Sequence, residues 1–333
     1  MDMKKVLVTG GGGFLGKAVV RGLVEKNVDV TSFSRSFYPE LDEMGVAQIQ
    51  GDLTDRDAVV RACRGTDTVF HVAARPGMWG TYDNYYQVNV VGTVHVIEAC
   101  RQNGVSRLIH TSSPSVVFDD ADMEGADESV PYPDAYLGPY PETKAIAEKK
   151  VVEAAKSGLP AIILRPHLIW GPEDNHLVPR IISRAKRLKI IGPDDDLVDT
   201  IYIDNAADAH ILAAEQLAER PELSGNIYFI SQDEPVSKWT MVNAFLDAAG
   251  LPPVKGRVSA RTAYAVGWVC EKIYKTLGIQ SEPPMTRFVA KELATSHWFD
   301  ISRAKQDLGY VPRVSTEEGL ERLRVWLADK GEI

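Results

Sequence analysis

Residues 5–16 read KVLVTGGGGFLG, and this stretch decides the fold. KVLVT is a run of apolar and β-branched residues, the composition of a buried strand. Four glycines follow it, and then the amphipathic stretch Gly16–Glu25. A strand that passes through glycine into a helix N-terminus suits a diphosphate, because the free N–H groups of the first helical turn face the anion. Gly10, Gly13 and Gly16 are spaced G-x-x-G-x-x-G, close to the dinucleotide fingerprint G-x-G-x-x-G but not identical to it. Gly10 turns the chain off the strand, Gly13 lets backbone approach a diphosphate, and Gly16 permits close helix–strand packing. Phe14 and Leu15, between them, belong to the same expected cofactor site.

The same rhythm continues outward. Strands are expected at Lys5–Thr9, Val28–Phe33, Val46–Gln50, Thr68–Ala73, Arg107–Thr111 and Ala161–Arg165. Helices are expected between them at Asp55–Cys63, Tyr85–Gln102 and Tyr140–Ser157. Short strands alternating with helices predict an α/β fold, a Rossmann-type doubly wound parallel sheet with its ligand crevice at the carboxyl ends of the strands. After Pro166 the rhythm changes, with expected helices at Leu177–Arg187, Ala206–Ala218, Lys238–Ala249, Arg261–Leu277 and Thr316–Ala328. The expected division is a cofactor-binding domain over residues 1–166 and a smaller substrate lobe over 167–333, with some segments of the lobe returning to the sheet.

Composition narrows the class. The chain has 333 residues, 37 basic and 46 acidic side chains and a net charge of -9, which disfavours a nucleic-acid-binding surface. No apolar stretch is long enough to span a bilayer. MDMKK leads directly into the first strand, so no signal peptide is expected. Cys63, Cys100 and Cys270 are too few and scattered for a disulfide framework, which points to a cytoplasmic setting.

Cofactor preference is expected at the end of the second strand. It reads Thr31-Ser32-Phe33-Ser34-Arg35 without a carboxylate at the tip. Ser34 and Arg35 suit a 2′-phosphate, so NADP(H) is expected over NAD(H). Asp52, next to Leu53, is a candidate acceptor for the adenine amino group, while Asp52 or Thr54 is the candidate cap of the following helix. Ala73 and Ala74, small residues at the fourth strand's exit, and Pro166 complete the expected cofactor contacts.

Tyr140 and Lys144 in YPETK share a face if helical. A nearby ammonium favours a phenolate, so Lys144 is expected to lower the Tyr140 pKa and make it a proton donor or acceptor for an alcohol–ketone pair. Ser113 ends the fifth strand and is suited to holding the substrate oxygen. Thr111 and Ser112 offer the same chemistry, so spacing alone leaves three candidates. A serine hydrolase is disfavoured because there is no G-x-S-x-G elbow.

Taken in this order, the motifs resemble the extended short-chain dehydrogenase/reductase superfamily over essentially the full length. They are TGGGGFLG (Thr9–Gly16), GDLTD (Gly51–Asp55), HVAA (His71–Ala74), NVVGT (Asn89–Thr93), TSSPSVV (Thr111–Val117), YPETK (Tyr140–Lys144) and RPHLIWGP (Arg165–Pro172). The stretches RPGMWGTYDNYYQVN, YIDNAADAH and TSHWFD resemble the 3β-hydroxysteroid dehydrogenase-like branch. The resemblance implies a catalytic triad of Ser113, Tyr140 and Lys144, with Asn89 in the family's NV motif, and a homodimer through the helices bearing Asn89 and Tyr140. It further implies NADPH-dependent reduction of the 3-keto group of a long-chain 2-alkyl-3-oxo acid in bacterial olefin biosynthesis. The implied pathway neighbours are a thiolase-like condensing enzyme and a β-lactone synthetase.

A fatty substrate needs an apolar tunnel with a polar mouth. Trp79, Tyr82, Phe118 and Trp170 are its candidate lining, and His176 or Arg180 the candidate partner of a carboxylate. MWG, LIW and VPR make the entrance more apolar than a nucleotide-sugar epimerase or dehydratase would need. A steroid or sterol dehydrogenase is the other enzymatic alternative, and a nonenzymatic NADP-binding sensor is disfavoured because tyrosine and lysine are both present. Arg261–Leu277 is a candidate lid, partner surface or shallow membrane contact. The seven histidines show no ligand spacing, so no metal is expected.

Overall fold

The computed structural model describes residues 3–77, 79–193 and 196–331. Seven strands form the main sheet: β1 (Lys5–Thr9), β2 (Asp29–Ser34), β3 (Ala47–Gln50), β4 (Thr68–His71), β5 (Arg107–Thr111), β6 (Ala161–Pro166) and β7 (Ile227–Ile230). Their order is β7-β6-β5-β4-β1-β2-β3, and every pairing is parallel. The order reverses at β1, so the crevice beyond its carboxyl end is the expected ligand position.

Strand alternation sets the two faces. Val6, Val8, Phe70, Ile109, Ile162 and Leu164 point into one core, covered by α1 (Phe14–Glu25) and α5 (Ile203–Glu219). Leu7, Val69, Leu108, Ala161 and Ile163 point into the other, beneath α2 (Arg56–Ala62), α3 (Gly92–Asn103) and α4 (Pro139–Lys156). Each fully buried aliphatic side chain contributes about 1.5–3 kcal/mol to the stability of this frame. The helix ends follow local chemistry. Asp55, rather than Asp52 or Thr54, caps α2 by accepting from Ala58 N at 3.0 Å. Two prolines occupy the first turn of α4, where their missing donors cost nothing, and Gly158 takes φ 94° just past its end.

The smaller lobe is not a simple C-terminal half. Its four-stranded sheet joins Val236–Ser237, Leu197–Val198, His297–Phe299 and Met123–Ala126, so a segment between β5 and α4 belongs to it. In return, α5 packs on α1 and β7 pairs with β6, bringing later residues back to the main sheet. Helices Leu177–Arg184, Lys238–Ala248, Ala260–Thr276 and Arg287–Glu292 complete the lobe. Trp239, Leu246, Ala263 and Ala290 share its small apolar core. Among the described residues, no helix is long and apolar enough to cross a membrane.

Candidate active site

The glycine loop is shaped by contacts that a side chain would block. Gly10 has φ 72°, donates to Phe33 O at 2.8 Å, and would place a Cβ 2.9 Å from Ala73 Cα. A Cβ on Gly16 would lie 2.0 Å from the Gly10 carbonyl oxygen, and one on Gly12 would lie 2.1 Å from the Tyr38 ring. Gly13 caps α1 with no side-chain hydrogen bond, and the first turn carries no acidic residue. The first-turn N–H groups therefore have no competing carboxylate, which fits the diphosphate of a dinucleotide. Leu15 is buried and Phe14 packs against the same core. Ala73 closes the adjoining strand exit, donating from its N–H to Thr9 O at 3.0 Å. Leu53 is buried under Gly92, Ala74 follows Ala73, and Pro166 ends β6.

Tyr140 occupies the first turn of α4, and Ser113 follows β5. The Ser113 hydroxyl lies close enough to Tyr140 to pull its pKa down, and it meets Ser115 Oγ at 2.9 Å. Neither Thr111 nor Ser112 offers its hydroxyl to Tyr140. Thr111 Oγ1 lies 2.9 Å from His210 Nε2, and the Ser112 hydroxyl is buried away from any described partner. Ser113 is thus the hydroxyl brought to Tyr140. Lys144 is buried, and its Nζ donates to Thr111 O at 2.6 Å.

The expected tuning of the phenol is corrected. Burial raises the Tyr140 pKa, against the pull of Ser113, and Glu292 and Tyr85 push it further up. Lys144 turns toward the Thr111 carbonyl, and its charge is felt by the buried rings of His71 and His110 instead. Burial lowers the Lys144 pKa to about 8, with Glu148 opposing that shift. A phenol held above its usual range stays protonated at neutral pH, as a general acid must.

A buried ion pair supports this helix. Arg165 donates to both oxygens of Glu148, at 3.0 and 2.6 Å, and Tyr132 OH donates to Glu148 at 2.6 Å. Glu148 is one turn beyond Lys144, so the pair links β6 to the catalytic face of α4. The four-residue spacing from Lys144 is the signal that could have found it. Asn89 lies in a π-helical turn, Tyr86–Val91, between Tyr82–Tyr85 and α3. It accepts from Arg75 N at 2.7 Å and donates to Thr143 Oγ1 at 3.1 Å, tying the β4 exit to α4.

The candidate substrate residues disperse. Trp79 donates from its indole N–H to Ile279 O at 3.1 Å and meets Tyr274 edge-on, so it anchors helix Ala260–Thr276 near the site. Its neighbour Met78 lies outside the described residues. Tyr82 is exposed and stacks on Tyr86. Phe118 is buried against Phe288 and His297. Trp170 is corrected from tunnel to core: it is wholly buried between Tyr202 and Phe245, and its indole donates to Thr200 Oγ1 at 3.1 Å. His176 stands at the N-terminus of Leu177–Arg184, where its N–H and those of Leu177 and Val178 donate to the capping carboxylate of Asp174 at 2.7, 3.2 and 2.8 Å.

Arg180 pairs with Glu282 and also lies near Glu292. Tyr85, 6.5 Å from the Tyr140 ring, has Arg75 over its face and Glu282 within electrostatic reach. Lys238 and Glu292, neither in a recognisable motif, lie within electrostatic reach of each other.

A model of the 3-beta hydroxysteroid dehydrogenase/isomerase family matches residues 7–257. The chain is 51% identical to a 2-alkyl-3-oxoalkanoate reductase of Stenotrophomonas maltophilia, over 96% of this chain and 98% of that protein. It is 50% identical to the 2-alkyl-3-oxoalkanoate reductase of Shewanella oneidensis, over 96% and 85%. A sterol-4-alpha-carboxylate 3-dehydrogenase, decarboxylating, of Mus musculus is 35% identical, over 96% and 90%. Among solved structures, gox2253 superposes with a TM-score of 0.81 at 27% identity, covering 99% of both chains. MoeE5 with UDP-glucuronic acid and NAD gives 0.75 at 26% identity, covering 98% and 99%.

The expected NADP(H) preference is overturned at this point. MoeE5, 26% identical and of the same fold, carries NAD in its solved structures. In this chain the Arg35 cation also faces a carboxylate. Asp52 is held below its usual range by bonds from Thr54 N and Oγ1, at 2.9 and 2.8 Å, and by Arg35 itself. A 2′-phosphate at Arg35 would meet that negative charge. The chain belongs to the 3-beta hydroxysteroid dehydrogenase/isomerase family and is an NAD(P)-dependent oxidoreductase of the short-chain dehydrogenase/reductase type.

Proposed function

We propose that this protein reduces the 3-keto group of long-chain 2-alkyl-3-oxoalkanoic acids to the 3-hydroxy acid, with NAD(H). The observation that carries this reading is the 51% identity to a 2-alkyl-3-oxoalkanoate reductase along nearly the whole of both chains. The residues of the site supply the required chemistry. Gly10, Gly13, Gly16 and the N-terminus of α1 would hold the cofactor diphosphate, with Ala73 and Ala74 beside the adenosine half. When bound, the nicotinamide supplies hydride to the carbonyl carbon. Tyr140 donates its phenolic proton to the oxygen, which gains negative charge as the carbonyl is reduced. Ser113, which lies beside Tyr140, would hold that oxygen in line with the phenol. Lys144 fixes the exit of β5 through the Thr111 carbonyl and keeps a positive charge beneath the site.

The same reading treats the enzyme as a cytoplasmic homodimer, acting after a thiolase-like condensing enzyme and before a β-lactone synthetase. A direct test runs the reaction backward, because 3-keto acids lose carbon dioxide while 3-hydroxy acids are stable. The purified protein is given NAD+ with a long-chain 2-alkyl-3-hydroxyalkanoic acid, a 3β-hydroxysteroid or a UDP-hexose, and reduced cofactor is measured. Turnover of the hydroxy acid above the other two is expected. Turnover of the sugar alone would reject the reading.

A further inference from the structure

Helix Ala260–Thr276 meets the rest of the lobe along one face. Ala263, Gly267 and Glu271 recur every four residues and are buried. A Cβ on Gly267 would lie 2.6 Å from the Thr286 carbonyl carbon, so this face is pressed close against the start of helix Arg287–Glu292. The opposite face carries Val266, Val269, Ile273 and Leu277, at spacings of three, four and four residues, which aligns them in one outward stripe. These four side chains are 46–68% exposed, and Trp268 beside them is 49% exposed. Residues 266–277 hold five of the eleven large apolar side chains exposed among the described residues, so this is a concentrated patch and not a scatter.

The charge beside the stripe is of one sign. By helical geometry Arg261, Trp268, Lys272 and Lys275 fall along one border of it. The three cations are exposed, and Lys272 Nζ lies 5.9 Å over the Trp268 ring. Glu271 is the one acidic residue between positions 248 and 281, and it is buried, accepting from Arg287 N and Nε at 2.7 and 2.9 Å. A helix with an outward apolar stripe, bordered by tryptophan and cations, suits a membrane interface. Its aliphatic side chains enter the acyl boundary while the cations meet lipid phosphates. A second copy of this chain suits it poorly, because a two-fold contact would set the same cations against each other. We propose that this face of helix Ala260–Thr276 docks the protein on an anionic lipid bilayer.

A run of contacts leads from this helix to the reacting phenol. The Trp79 indole donates to Ile279 O, just past the helix, and Lys275 Nζ lies 5.9 Å over the Trp79 ring. The Trp79 carbonyl accepts from Tyr85 OH at 3.0 Å, and the Tyr85 ring lies 6.5 Å from that of Tyr140. Long-chain lipids concentrate in bilayers, so a docked protein holds its site close to a supply of apolar substrate. The docking itself does not rest on the proposed substrate, because it is read with lipid alone.

The test sediments the full-length protein with vesicles of phosphatidylcholine alone or of phosphatidylcholine mixed with phosphatidylglycerol. A net charge of -9 repels the protein as a whole from an anionic surface, so a preference for the mixed vesicles must arise locally. Binding to the mixed vesicles is expected to exceed binding to phosphatidylcholine by at least about tenfold, and to weaken at high salt. It is expected to fall about tenfold in V269N/I273N and in R261Q/K272Q. All four side chains are exposed, so both variants should keep the melting temperature of the unmodified protein. Sedimentation with neither vesicle would leave the face to a protein partner and overturn the docking. Binding that is undiminished in both variants, or a smaller particle size in V269N/I273N without vesicle binding, would overturn it as well.

Discussion

Lys144 Nζ lies 2.6 Å from the main-chain oxygen of Thr111, the last residue of β5 and two positions before Ser113. This bond joins α4 to the strand exit that presents the serine, so Tyr140 and Ser113 are held by one connection between two rigid elements. It also explains where the lysine charge goes. A buried ammonium needs an acceptor, and the Thr111 carbonyl provides it in place of the Tyr140 phenol.

Ketone reduction should lose rate as pH rises through about 8, where Lys144 gives up its proton. Tyr140 must also be protonated to act, so its loss at higher pH has the same sign. A kcat–pH profile measured in the reductive direction checks this, beside K144M. That variant should be at least about 100-fold slower and lack the limb near pH 8. The same limb in K144M would assign the titration to another group.

Stability carries a related signature. The folded protein binds the Lys144 proton less tightly than the unfolded chain, whose lysine titrates near 10.5. The unfolded state therefore holds more protons between about pH 8 and 10.5, and this group's contribution to stability rises across that window. Comparing urea midpoints of the unmodified protein and K144M over that range isolates the contribution. The midpoint of the unmodified protein should rise relative to that of K144M from about pH 8 to 10.5, because K144M is spared the cost of burying an ammonium on the acid side.

Breaking the Arg165–Glu148 pair should be expensive. Arg165 and Glu148 are 1% and 0% exposed, so E148Q strips a buried guanidinium of the carboxylate that it bonds. The expected loss is about 3–5 kcal/mol in denaturant unfolding. A loss below about 1 kcal/mol would mean that water or backbone replaces the carboxylate. Removing Glu148 also takes away the group that raises the Lys144 pKa, so the limb near pH 8 should move to lower pH.

The glycine loop offers a test of cofactor binding apart from catalysis. G16A would force a methyl group to 2.0 Å from the Gly10 carbonyl, so the turn must open and lose its grip on a diphosphate. NAD should raise the melting temperature of the unmodified protein and leave that of G16A unchanged. Equal shifts in both proteins would move the diphosphate away from this turn.

Much of this site was legible in the sequence because its parts are local. The strand–glycine–helix unit carries its own spacing, and Tyr140 and Lys144 lie one helical turn apart. What escaped depends on distance or on hydrogen-bond register. The π-helical turn at Asn89 differs from an α-helix by a slip in bonding that leaves no compositional mark. Glu292 and Lys238 come within electrostatic reach because helices far apart in the chain share one core within the lobe. Trp170 looked like tunnel lining because a tryptophan's type does not reveal whether its ring meets substrate or Phe245. Spacing put Lys144 on the face of Tyr140 but could not show that its ammonium turns to Thr111.

The central claim is that Tyr140 delivers the proton, and Y140F tests it most directly. Turnover of the 2-alkyl-3-hydroxy acid with NAD+ should fall at least about 100-fold, while NAD affinity stays within about twofold of the unmodified protein. Turnover retained in Y140F, with NAD bound as before, would contradict the account.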